Sequence, residues 1–216
     1  MAGKLHHEEL YRGAHDIARL GEITVTLCGA GALGSNLADS LVRQGFRKLR
    51  VIDHDRVEEH NINTQIYGED DIGAWKTDVL ANRLFRAAGV EIDGVRKELT
   101  ERNARKLLTD PEIVIDTFDN TASRAVVQDQ CRRSGRTCLH IGLFEDYAEV
   151  IWDEAYRVPA QEGQDVCDYP LARNLVLLTV AVAAETLVRA ALAQTYQSWT
   201  ITLGDFAVRR FAQTAG

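Results

Sequence analysis

The stretch Ile23-Thr24-Val25-Thr26-Leu27-Cys28-Gly29-Ala30-Gly31-Ala32-Leu33-Gly34 decides the fold. Ile23 to Cys28 is a short run of β-branched and apolar side chains, the composition of a buried strand. Three glycines follow, and beyond them the pattern becomes that of a helix running to about Gln44. Glycine permits a tight turn and lets backbone N–H groups approach phosphate, while the N-terminus of the helix favours negative charge. Asp53 lies 19 residues after Gly34, at the end of a second predicted strand, Leu49 to Ile52, where an acid can accept ribose hydroxyls. In this strand–loop–helix context the glycines read as a nucleotide site, and the motif alone does not choose between NAD and ATP.

Working outward, strand and helix alternate. Trp75 to Ala88 reads as a helix, with Trp75, Val79, Leu80, Leu84 and Ala88 on one side. Val90 to Val95 follows as a third strand and Asn103 to Leu108 as a short helix. Ile113 to Phe118 reads as a strand, Thr121 to Ser134 as a helix, and Thr137 to Leu143 and Glu149 to Trp152 as further strands. The segment from Asp153 to Tyr169 is polar and without period, the character of a lid or binding loop. Pro170 stands where the next helix would begin, running to about Gln194, and Trp199 to Phe211 reads as a hairpin around Gly204 and Asp205. The expectation is an α/β fold: a Rossmann-like, doubly wound, mostly parallel sheet with helices on both faces and a C-terminal β-hairpin.

The 216 residues suffice for one sizeable core. A formal net charge of −7 argues against nucleic-acid binding by phosphate neutralisation. The N-terminal ten residues hold no apolar run of signal-peptide length, so the chain is expected to stay in the cytoplasm where it is made. The most apolar stretch, Leu175 to Ala184, covers ten residues between Arg173 and Glu185. A membrane span needs about 20, so a buried or interface helix is expected and no membrane partner. The four cysteines form no CxxC pair, which suits a reducing compartment without structural zinc.

Ligands of open parallel sheets bind outside the carboxyl ends of the strands, and Gly29, Asp53 and Asp119 each stand just past such an end. Two roles are open to Asp119: holding Mg²⁺ against a nucleotide phosphate through oxygen ligation, or capping the helix that begins near Thr121. Asp116, inside the strand, reads as a satisfied buried acid. The glycine loop lacks the lysine of a P-loop, so cations for triphosphate chemistry would come from elsewhere, with Lys76, Arg12 and Arg124 as candidates.

Gly29 to Gly34, Ile52-Asp53-His54-Asp55, Asn61 with Gln65, Gly73-Ala74-Trp75-Lys76 and Asp116 to Arg124 stand in one order and spacing. That order resembles the MoeB/ThiF adenylation domain, relatives of ubiquitin-activating enzymes. The resemblance covers Ile23 to Trp152, more weakly to the end, and implies a single adenylation domain over residues 1–216 with a crossover loop at about 153–170. It also implies ATP and Mg²⁺ as ligands, with Gly29, Gly31 and Gly34 around the nucleotide and Asp53 on the ribose. Asp55 would support the loop, Asn61 and Lys76 would contact phosphates beside Gln65 and Asn120, and Asp119 would hold the metal. Arg12, in Leu10-Tyr11-Arg12-Gly13, looks like the arginine that such proteins reach into a partner subunit's site, which implies a homodimer. Thr64 stands where the family usually carries an arginine, and the paired CxxC motifs of many relatives are absent, which implies a zinc-free subgroup.

The activity so implied is ATP-dependent adenylation of the C-terminal glycine of a small β-grasp protein, ubiquitin-like or a sulfur carrier, ending in Gly-Gly. In relatives a cysteine of the crossover loop can take the acyl group or join sulfur transfer, and Cys167 is the cysteine here in a polar segment. Cys28, Cys131 and Cys138 read as packing residues. Two other readings stand beside this one: an NAD-dependent oxidoreductase on the same loop and Asp53, and a non-catalytic protein that binds a β-grasp partner.

Overall fold

The computed structural model describes residues 3–159 and 170–211. Two N-terminal helices, α1 (His6–Arg12) and α2 (Ala14–Glu22), precede β1 (Thr24–Cys28), α3 (Ala32–Gln44) and β2 (Lys48–Ile52). After two short 3₁₀ turns come α4 (Lys76–Ala88), β3 (Asp93–Val95), α5 (Glu101–Leu107), β4 (Ile113–Asp116) and α6 (Thr121–Ser134). β5 (Thr137–Phe144), β6 (Tyr147–Trp152), α7 (Arg173–Ala193), β7 (Trp199–Thr202) and β8 (Ala207–Arg210) complete the chain.

All eight strands form one sheet in the order β3-β2-β1-β4-β5-β6-β7-β8. The pairs from β3 to β5 are parallel, and those from β5 to β8 antiparallel, ending in the expected hairpin. From β1 the chain winds outward through β2 to β3, then returns to place β4 on the other side of β1. The order therefore reverses between β1 and β4, and a crevice opens at their carboxyl ends.

Alternation along each strand sends neighbouring side chains to opposite faces. Val25, Leu27, Leu49, Val51, Ile113, Ile115, Leu139 and Ile141 pack with residues of α2, α3, α4 and α7 in the larger core. Cys28, Ile52, Val114 and Cys138 face the other way, with Leu107 of α5 and Val127 and Cys131 of α6. The cysteines read as packing residues are buried there.

α7 is longer than its most apolar ten residues suggest. Its 21 residues are long and apolar enough to cross a membrane by length and composition. Packing, rather than length, makes it a core helix: Leu175, Val176, Val180, Ala183, Ala184, Leu187 and Val188 are buried in the larger cluster. It begins at Arg173 and not at Pro170, because Leu171 is held extended in a parallel bridge with Glu145. β4 stops two residues earlier than expected. The Thr117 N–H still bonds the Cys28 carbonyl at 2.9 Å, but Asp116 then takes the Phe118 N–H on its own side chain at 3.1 Å and turns the chain. β3 is confined to three residues, since Gly89 closes α4 in the left-handed conformation and residues 90–92 carry the chain back to the sheet.

Candidate nucleotide site at the strand switch

The glycine loop is fixed from every side. Gly29 has φ 100°, and its N–H bonds the Ile52 carbonyl at 2.9 Å. The Ala30 N–H donates to Asp53 Oδ2 at 2.7 Å, and the Tyr67 hydroxyl donates to the Ala30 carbonyl at 2.8 Å. From just past β4, the Thr117 hydroxyl reaches the Cys28 and Gly29 carbonyls at 2.9 and 3.2 Å. Asn36 spans Ala32 O (2.7 Å) and Thr64 O (2.9 Å), binding the first turn of α3 to the segment that carries Asn61 and Gln65. A loop held this way loses little further freedom when a ligand arrives.

Gly31 caps α3 with no side-chain bond, so the first-turn N–H groups are left for an anion. A Cβ at Gly31 would project into open space. A Cβ at Gly34 would stand 2.0 Å from the Gly29 carbonyl oxygen. One glycine keeps room for a ligand; the other lets helix and loop touch.

Asp53 is buried, and its Oδ1 accepts the Asp55 N–H at 2.7 Å. Burial pushes its pKa up, although Lys76 and the two amides favour the anion. Lys76 is buried at the first turn of α4 and pairs with Asp55 at 3.0 Å, so it is not the solvated charge its type suggests. Asn61 is buried and its carbonyl oxygen accepts the Glu58 N–H at 2.9 Å, so its NH₂ group is the end that remains to donate. Gln65 Oε1 is buried with no partner. That atom can only accept, so a donor from outside the chain, water or a ligand, would satisfy it.

The two roles open to Asp119 separate cleanly. Asn120, not Asp119, caps α6, its Oδ1 accepting the Ser123 N–H at 2.8 Å. Asp119 is exposed at the mouth of the crevice with only a 3.4 Å contact from Asn120 Nδ2. Its carboxylate is available to a cation.

The other cation candidates lie elsewhere. Arg124 is buried, donating to the Tyr156 hydroxyl at 2.9 Å and the Ile141 carbonyl at 2.8 Å, with Asp116 at 3.7 Å, so it is a core group and not a phosphate ligand. Arg12 pairs with Glu8 and with Glu185 of α7, both at 2.8 Å. The N-terminus of α7 is the end near the site, where Arg173 bonds the Asn63 carbonyl. Glu185 lies 12 residues further on, about 18 Å at 1.5 Å per residue. Arg12 is thus not brought to this chain's own crevice. Cys167 lies outside the described residues, as does most of the loop expected at 153–170. Tyr67 and Asn36 are supporting residues outside the motifs, and Thr117 lies within the Asp116 to Arg124 stretch without being singled out there. The visible signal is Asn36, which with Ser35 is a polar residue on the buried face of α3.

The pattern of the ThiF family matches residues 7–193. The sulfur carrier protein ThiS adenylyltransferase of Bacillus subtilis is 32% identical over 146 residues, covering 65% of this chain and 44% of that protein. The SAMP-activating enzyme E1 of Haloferax volcanii is 28% identical over 136 residues, covering 62% of this chain and 50% of that one. The chain therefore spans about half the length of these relatives. In three dimensions, the crystal structure of E. coli MccB with ATP superposes with a TM-score of 0.83 at 15% identity, covering 100% of this chain and 72% of that one. At that identity the likeness is one of fold.

Proposed function

Because the chain belongs to the ThiF family, we propose that it adenylates the C-terminal glycine of a small β-grasp protein, ubiquitin-like or a sulfur carrier, at the expense of ATP. The observation that carries this reading is the placement of Asp119, left free by Asn120 and set across the strand switch from the uncapped start of α3.

The residues present fit a nucleotide. Open space at Gly31, the bare first turn of α3 and the unpartnered Gln65 Oε1 suit phosphates and a nucleoside. Asp53 would take the ribose. Asn61, with its free NH₂, and Lys76, at the start of α4, would meet phosphate oxygens. Asp119 would hold Mg²⁺, which when bound supplies positive charge against the phosphates. The carrier's carboxylate oxygen attacks the α-phosphorus, the bond to the pyrophosphate oxygen breaks, and an acyl-adenylate and pyrophosphate leave. Such chemistry needs alignment and charge stabilisation more than an acid or base. The cage of bonds around Gly29 and Ala30 supplies the first, and Lys76 part of the second.

Arg12 would complete the charge from a second copy, making the homodimer the working unit, without zinc and in the cytoplasm. Cys167 would accept the activated acyl group as a thioester or join sulfur transfer. Cys167→Ser should then leave pyrophosphate release intact and remove any dithiothreitol-sensitive adduct seen on non-reducing gels; an adduct that persists would exclude the cysteine.

The deciding experiment is ATP–pyrophosphate exchange with and without a candidate β-grasp carrier ending in Gly-Gly. Carrier-dependent exchange is the expected result. Carrier binding without exchange would mean a non-catalytic relative, and nicotinamide binding in place of ATP an oxidoreductase.

A further inference from the structure

Behind the crevice, on the face covered by α6, lies a buried polar group that no step above uses. His140, in β5, is fully buried. Its Nδ1 stands 2.9 Å from Asp116 Oδ2, and its Nε2 3.2 Å from Asp153 Oδ1. The ring lies flat on Tyr156, with centroids 3.8 Å apart and planes at 9°. Arg124 of α6 bonds the Tyr156 hydroxyl and faces Asp116, while Arg132 of the same helix holds Asp153 Oδ2 at 3.0 Å. Gln128 reaches the Tyr156 carbonyl, and Glu149 of β6 faces both Arg124 and the ring. Cys28 of β1 and Cys138 of β5 flank Asp116 as thiols that burial keeps protonated.

A carboxylate only accepts hydrogen bonds, and a neutral imidazole has a single N–H. With a carboxylate oxygen against each ring nitrogen, the ring needs both protons; a bare nitrogen would set a lone pair against a buried anion. Asp116 Oδ1 accepts the Phe118 N–H at 3.1 Å, so the setting of that one carboxylate shapes the turn leading to Asp119. Asp153 closes the end of β6.

We propose that His140 is a positioning residue: a doubly protonated ring that clamps Asp116 to Asp153 and so fixes the turn presenting Asp119. In its effect on catalysis the proposal rests on the adenylation reading; the state of the ring does not. Burial works against charge on His140, but its bonds to Asp116 and Asp153 outweigh that and its pKa is raised. Asp153, despite its burial, is held below the usual carboxylate range by His140 and Arg132. A raised histidine pKa means that the clamp's stability is fully present below the ordinary value of about 6.5. It fades as pH rises through the raised value. On the acid side the share of Asp153 is fully present above its ordinary value of about 3.9 and is lost as pH falls through its lowered one.

The test combines ¹⁵N NMR of the ring with exchange kinetics. In the native chain both ring nitrogens should carry protons at neutral pH, and exchange should fall on the alkaline side with the ring's own midpoint. The amide of His140→Asn falls near Nδ1 and keeps the Asp116 bond; that of His140→Gln falls near Nε2 and loses it. The first should keep exchange within about threefold of native and the second should lose about tenfold, the cost of one buried hydrogen bond. In both, the alkaline fall should vanish. Thermal melts check that each variant folds; if one does not, the other and the native ring still decide. A neutral ring at pH 7, or native rates with an unchanged alkaline fall in both variants, overturns the clamp. If the native chain shows no exchange, the adenylation reading fails instead. The clamp is then judged by the Phe118 and Asn120 amide signals, which must move with the ring's titration and, if they stay still, refute it.

Discussion

In ATP–pyrophosphate exchange, Asp119→Ala is expected to run about 10²–10³-fold slower than the native chain, equivalent to roughly 3–4 kcal/mol of lost transition-state stabilisation. The same substitution should scarcely touch the fold. Asp119 is exposed and caps nothing, and surface changes away from such features stay within about 0.5 kcal/mol. Its neighbour should behave in the opposite way. Asn120 Oδ1 holds the first turn of α6, so Asn120→Ala should lower stability by about 1 kcal/mol. Lys76→Ala should also suppress exchange strongly. It removes a buried cation that pairs with Asp55 and eases the charge on Asp53, so nucleotide affinity should fall with it. Near-native exchange in both Asp119→Ala and Lys76→Ala, measured on variants that melt like the native chain, would refute the site.

The contrast between Asp119 and Asn120 also marks what a linear reading can reach. Gly29, Asp53 and Asp119 are legible because each stands where a strand-like run ends, and in an open parallel sheet those ends converge. Which of two adjacent polar residues caps a helix depends on backbone angles that composition leaves open. Arg124 shows a second limit. An arginine four residues into a helix beside a phosphate-binding turn resembles a ligand until three dimensions bring Tyr156 and the Ile141 carbonyl to it. His140 is a third case: its two carboxylates come from β4 and from the turn after β6, and no local spacing records that meeting. The N-terminal helices differ in what the sequence shows of them. α1 buries nothing, whereas Ile17 and Leu20 of α2 stand three residues apart on one buried face, a helical period that the sequence does carry. Arg12 stands on α1 and is held within this chain by Glu8 and by Glu185 of α7.

Two glycines three residues apart, Gly31 and Gly34, should fail in different ways, and the difference tests whether the loop is built for a ligand or merely folds tightly. At Gly34 the new Cβ of an alanine would meet Gly29 O at 2.0 Å, Thr117 Oγ1 at 2.8 Å and Gly29 C at 2.9 Å. Two of the three are backbone, in a turn that is also tied to Ile52, Asp53 and Tyr67 through Gly29 and Ala30. Neither side can yield without moving the start of α3 off the sheet. Gly34→Ala should therefore cost about 3 kcal/mol or more, the upper range of overpacking. For a chain of this size that corresponds to roughly 6–12 °C in melting temperature. At Gly31 the alanine Cβ meets nothing, and φ is −77° rather than left-handed. Gly31→Ala should stay within about 1 kcal/mol of native, the scale of a changed helix cap. If the open space there receives a phosphate, the variant should nevertheless bind ATP at least tenfold more weakly by calorimetry, about 1.4 kcal/mol. A Gly31→Ala chain that melts and binds ATP like the native one would show that the space is solvent, and the phosphates would have to be sought away from the first turn of α3.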